Sequence, residues 1–159
     1  MVEYKYIKEG GITMRETIKL TNTQIIDCYN ILFKIPAKGR QARALSKFNN
    51  KLSEINSDYM NALSIIMDDY AETYTGEQII WKSEKSEEAN SAFLELRSSE
   101  EIIDILNMTN YIDDLLELLN QCDISFVGQE VHTYDLLIEK LEEVLSKINS
   151  TGEIEATEK

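Results

Sequence analysis

A mainly α fold, a helical bundle of about four to five helices with a short N-terminal β-hairpin, is predicted by three features of this chain. Apolar residues recur every three or four positions over most of its length. Only one Pro and six Gly interrupt 159 residues. Strict alternation of apolar and polar residues is confined to the first twenty positions, with one further short candidate strand at Gln78 to Trp81. With 43% apolar residues the chain can bury the core of a single domain over 1–149. The remaining residues, Ser150 to Lys159, carry too few apolar positions to pack and are expected to form a disordered tail.

Val2, Tyr4 and Tyr6 share one face of the alternating segment, and Ile12, Met14, Ile18 and Leu20 share another beyond Gly10-Gly11. A hairpin with a Gly-Gly turn follows. Two strands alone are marginal in water, so the hairpin must lie against the helices or pair with Gln78 to Trp81. The codons open a different reading. Glu9-Gly10-Gly11 can be written GAAGGAGGT, a bacterial ribosome-binding sequence, and Met14 follows at a typical spacer length. On that reading 1–13 lie upstream of a natural start at Met14; the turn's own need for glycine explains the same residues.

Thr21-Asn22-Thr23 offers capping side chains for a helix through Ile25, Ile26, Tyr29, Leu32 and Phe33, which Pro36 and Gly39 end. The longest periodic run comes next. Leu45, Phe48, Leu52, Ile55, Tyr59, Ala62, Ile66 and Tyr70 define a helix from about Arg40 to Tyr74, with Met60, Leu63 and Met67 widening its stripe. Burial inside the bundle is the favoured reading of that stripe, although its length also admits a homo-oligomer. A charged loop from Thr75 to Ser91 leads into a short helix carrying Ala92, Phe93, Leu94 and Leu96. Ser98-Ser99-Glu100-Glu101 then resembles a helix start with acids in the first turn, opening a strongly apolar central helix through Ile102, Ile103, Ile105, Leu106, Ile112, Leu115, Leu116 and Leu119. A last amphipathic helix runs from Val131 to Ile148.

A formal charge of -13 repels nucleic acid and anionic lipid, so direct nucleic-acid binding is not expected without a local basic patch. No stretch reaches the ~18 apolar residues of a membrane span, and the charged N-terminus lacks a signal-peptide core, which predicts a cytoplasmic protein. Cys28 and Cys122 are isolated and read as small apolar residues. The single histidine, His132 between Glu130 and Asp135, excludes multi-histidine metal sites. Phosphate-loop, dinucleotide and nucleophile-elbow motifs are lacking, so no cofactor, metal or catalytic residue is assigned. Asp68-Asp69-Glu72 and Asp113-Asp114-Glu117 have the spacing of solvated helix faces rather than of calcium loops.

The charge is unevenly spread. Lys34, Lys38, Arg40, Arg43, Lys47 and Lys51 form a basic block without an acid among them, which leaves -19 for the rest of the chain. Arg43, Lys47 and Lys51 are four residues apart, with Arg40 beside them, and line one helix face. Arg40, Arg43, Lys47 and Lys51 are therefore the candidate partner-binding residues. Such a strip grips carboxylates or phosphates. The plainer alternative is that these side chains neutralise acids of neighbouring helices, such as Glu95, Asp104 or Asp114.

Three stretches carry a resemblance. Ile18-Lys19-Leu20-Thr21-Asn22, then Lys38-Gly39-Arg40-Gln41-Ala42-Arg43-Ala44-Leu45-Ser46-Lys47-Phe48 with Asp68-Asp69-Tyr70-Ala71-Glu72, and finally Val127-Gly128-Gln129-Glu130 with Tyr134-Asp135-Leu136-Leu137-Ile138-Glu139-Lys140-Leu141-Glu142, resemble a family of uncharacterised small proteins of tailed phages and prophages of Gram-positive bacteria. The resemblance covers most of Met14 to Ile148. It implies a natural start near Met14 and a phage context beside tail or lysis genes, without a mechanism. With no catalytic motif in the chain, the expected function is that of a phage-encoded, non-enzymatic accessory protein that docks through its basic strip or an exposed apolar seam onto a protein partner, a virion component, in tail assembly. The alternative is an acidic anti-host factor that blocks a nucleic-acid-binding host protein. An enzyme would have to rely on His132 or a thiol.

Overall fold

The computed structural model describes residues 16–75 and 78–157. The fold is mainly α. Strand β1 (Thr17–Thr21) leads into α1 (Asn22–Leu32) and the long α2 (Gly39–Tyr70). A small hairpin, β2 (Ala71–Tyr74) and β3 (Ile79–Trp81), turns the chain back into α3 (Ser86–Ser98). Strand β4 (Glu100–Asp104), a 3-10 segment (Leu106–Tyr111), α4 (Ile112–Asn120) and α5 (Gln129–Thr157) complete it.

The hairpin expected over the first twenty residues falls largely on 1–15, outside the described residues. Its final portion is a strand, but the observed partner of β1 is β4, antiparallel, with Ile18 opposite Ile103 and Leu20 opposite Glu101. Ile18, Leu20 and Ile103 are buried on one face while Lys19 and Ile102 face out, the period-2 pattern of a half-covered strand. The expected helix through Ile102 and Ile103 is therefore corrected to a strand. Three β-branched isoleucines in the run Ile102-Ile103-Asp104-Ile105 fit a pleated surface, and the exposed edge of β1 supplies the hydrogen bonds. Ser98-Ser99 ends α3 instead of opening a helix.

Two other boundaries move. Helix α2 stops at Tyr70 rather than Tyr74, because Ala71–Tyr74 pairs with Ile79–Trp81, the further strand read from the sequence. Helix α3 starts at Ser86, so Glu87 and Glu88, read as loop, occupy its first turn where the helix dipole favours acids. Helix α5 stays helical to Thr157, past Ile148, into the segment predicted to be a disordered tail. Each residue added to an existing helix gains a backbone hydrogen bond that offsets the entropy of fixing it, without a second nucleation cost, so a helix outlasts its apolar stripe.

Helix α1 opens with a capping box. The Thr21 hydroxyl accepts from the Gln24 amide at 3.2 Å, and the Gln24 side chain accepts from the Thr21 amide at 2.9 Å. The same turn grips the end of α3. Asn22, 2% exposed, donates through Nδ2 to the Leu96 carbonyl at 2.9 Å, and the Thr23 hydroxyl donates to the Arg97 carbonyl at 3.0 Å. Carbonyls left free at a helix C-terminus are thereby satisfied by a neighbouring N-terminus.

The core gathers Ile18 and Leu20 of β1 with Ile25, Ile31 and Leu32 of α1, Phe48 and Leu52 of α2, and Leu137 and Leu141 of α5 around α4. Ile112, Leu115 and Leu119 of α4 are fully buried, so its central place in the bundle agrees with its apolar sequence. The two ends of α2 differ. Its first half supplies Ala44, Phe48 and Leu52 to this core, whereas beyond Tyr59 its stripe is only half-buried against α3 and the β2–β3 hairpin.

Candidate functional site

Gly39, at φ +60°, begins α2 in a left-handed conformation that costs glycine little, and the basic residues follow immediately. The helical repeat then separates two faces. Ala44, Phe48 and Leu52 point into the core, while Arg40, Arg43 and Lys47 are exposed and Lys51 is half-buried beside them.

The structure divides the strip into a tethered part and a free part. Arg40 Nε donates to Asp114 Oδ2 at 2.7 Å, its Nη2 donates to the Asn110 carbonyl at 2.8 Å, and its guanidinium lies 4.7 Å above the Tyr111 ring. Lys47 Nζ approaches the same ring at 5.6 Å. Tyr111 is thus a shared platform for two cations. Lys34, at the edge of the basic block, pairs with Glu130 of α5. Among the described residues no carboxylate comes within ion-pair distance of Lys38, Arg43, Lys47 or Lys51. Internal neutralisation, expected through Glu95, Asp104 or Asp114, occurs for Arg40 through Asp114 and does not reach Arg43, Lys47 or Lys51.

Tyr111 and Asn110 did not stand out in the sequence. Their only signal was an aromatic residue placed just before the acids Asp113-Asp114, and the contact with Arg40 spans 70 residues or more. Lys34 and Glu130 are still farther apart, 96 residues.

The groups with chemical potential are scattered. Cys28 is fully buried, and burial, reinforced by the neighbouring Asp27 charge, pushes its thiol up to about 12. Cys122 is half-buried near Tyr134, whose hydroxyl donates to the Leu119 carbonyl and is held above its ordinary titration range chiefly by burial. His132 is exposed on α5. Among the described residues no group of three His, Cys, Asp or Glu side chains is placed to hold a metal ion. A shallow depression on α5 is lined by Asp135, Ile138, Glu139, Glu142 and Glu143, an exposed acidic face opposite in sign to the strip on α2. No described helix is long and apolar enough to cross a membrane. No family model, curated protein or solved structure matches this chain.

Proposed function

We propose that this chain is a phage-encoded, non-enzymatic accessory protein that acts in the cytoplasm of its bacterial host by protein–protein binding, in tail assembly. One observation carries the docking reading. Arg43, Lys47 and Lys51 line one helix face, unmatched by any acid of the described chain, in a protein whose formal charge is -13. Such cations are held in place by a rigid helix and favour a carboxylate-bearing partner surface. Tyr111 orients Arg40 and Lys47 and lowers the entropy lost when they are engaged. The phage context rests on the resemblance of Lys38 to Phe48 and Val127 to Glu142 described above. Affinity capture from phage-producing cells, run with the natural sequence and with Arg43→Glu/Lys47→Glu, tests the reading. A virion component retained by the first and lost by the second is expected; equal retention removes the strip from the account.

The acidic face of α5 favours a second reading, an anti-host factor that occupies the basic groove of a nucleic-acid-binding protein. Asp135, Glu139 and Glu142 recur at four- and three-residue steps, a spacing that sets negative charge along a line as a phosphate backbone does, whereas Glu143 at its edge stands beside Lys140 and Lys147. Under this reading Glu139→Lys/Glu142→Lys abolishes competition with DNA for the host protein. Under the first reading it leaves capture of the virion component intact.

A further inference from the structure

The exposed stripe of α2 continues past the basic strip, and its sign reverses. Arg43, Lys47 and Lys51 are followed, at steps of three and four, by Glu54, Asp58 and Asn61, and then by Ile65, which is 63% exposed. One helix of 32 residues, about 48 Å long, therefore carries a positive half and a negative half along one side. Among the described residues no ion pair joins the two halves, and like charges stand four residues apart within each.

We infer that a second copy of this chain docks antiparallel along this face of α2, the basic half of each copy against the acidic half of the other. The inference rests on the reading of the strip as a docking face and adds a second copy of the chain as an occupant that competes with the virion component for it. A twofold axis between Leu52 and Ser53 sets Lys47 opposite Asp58 and Lys51 opposite Glu54, each twice by symmetry. It also sets Arg40 opposite Ile65, so that the aliphatic stem of the arginine, already fixed over Tyr111, covers an isoleucine that its own chain leaves in water. A parallel arrangement juxtaposes like charges throughout and is disfavoured. The face is otherwise polar, and exposed ion pairs are individually weak, so the pairing is reversible and weakens with salt.

Sedimentation of the full chain decides it. At low salt the weight-average mass rises from 18.3 kDa toward twice that value with increasing concentration, and falls back in high salt. Lys47→Glu/Lys51→Glu and Glu54→Lys/Asp58→Lys, each with unchanged helical circular dichroism, are monomers alone because the positions paired by the twofold axis, 47 with 58 and 51 with 54, then carry like charges. Mixed in equal amounts they form a heterodimer, since positions 47, 51, 54 and 58 are then all acidic in one chain and all basic in the other. A natural chain that stays monomeric at low salt overturns the inference, as does an equimolar mixture that stays monomeric. The docking reading fails on a different result, an undiminished capture of the virion component by Arg43→Glu/Lys47→Glu, so the two failures are told apart.

Discussion

Arg40 and Tyr111 meet across the bundle with the guanidinium carbon 4.7 Å from the ring centroid, and this contact anchors the first turns of α2 to the segment that enters α4. The arginine side chain is 57% exposed and its partner Asp114 17%, so solvent screens the ion pair and packing over the ring carries a comparable share. Arg40→Ala is expected to lower stability by about 1 kcal/mol, and Arg40→Lys to recover only part of it, because an ammonium cannot stack and donate to both Asp114 and Asn110. Urea unfolding of the two variants checks this. A loss that disappears entirely in high salt would mean that the Tyr111 contact contributes nothing.

Neighbouring isoleucines report whether 100–104 is a strand. Ile103 is 1% exposed and Ile102 is 52% exposed. Ile103→Ala should cost about 2–4 kcal/mol and Ile102→Ala less than about 1 kcal/mol. Comparable losses at the two positions would contradict the strand.

Helix types and most helix positions were legible in the sequence because the apolar period is a local property. The stripe through Phe48 and Leu52 and the buried α4 followed from spacing, and residue type marked Thr21-Asn22-Thr23 as capping side chains, of which Thr21 forms the capping box. The segment Ile102-Ile103-Asp104-Ile105 was not legible as a strand. Its apolar density suits a buried helix equally well, and its pairing partner Thr17–Thr21 lies more than 80 residues away. Of the candidate site, the positions of Arg40, Arg43, Lys47 and Lys51 on one face were legible. Which of them the fold would neutralise was not, because Asp114 and Tyr111 reach Arg40 through tertiary packing.

Of the side-chain hydrogen bonds that join α1 to the end of α3, the one from the Asn22 amide comes from a buried residue. Asn22→Ala removes the side-chain donor to the Leu96 carbonyl, which keeps only the longer 3.4 Å bond from the Ser99 amide, and should cost about 1–3 kcal/mol. Thr21→Ala, which removes half of the capping box, should cost about 1 kcal/mol. Thermal melts of both variants provide the comparison, and an unchanged Asn22→Ala melt would show that water replaces the lost bond freely.

Burial separates the two thiols. In the folded protein at mildly alkaline pH a disulfide reagent should label Cys122 and spare Cys28 until denaturant is added. The same burial makes stability fall on the alkaline side. Unfolding returns Cys28 to the ordinary thiol range while the folded thiol keeps its proton up to about 12, so across that interval the unfolded state binds fewer protons and gains. Tyr59 and Tyr134, also raised chiefly by burial, act in the same direction. The urea midpoint should therefore drop from neutral pH to about pH 10. A flat profile would contradict the burial of Cys28.

The docking face proposed on α2 is tested most sharply by the binding of the proposed virion partner to the natural chain and to Arg43→Glu/Lys47→Glu, measured side by side at low and high salt. Tight, salt-sensitive binding by the natural chain is expected, with a loss of at least about tenfold in the variant, the equivalent of roughly 1.4 kcal/mol. Equal affinities that do not respond to salt would contradict it and move the docking surface away from α2.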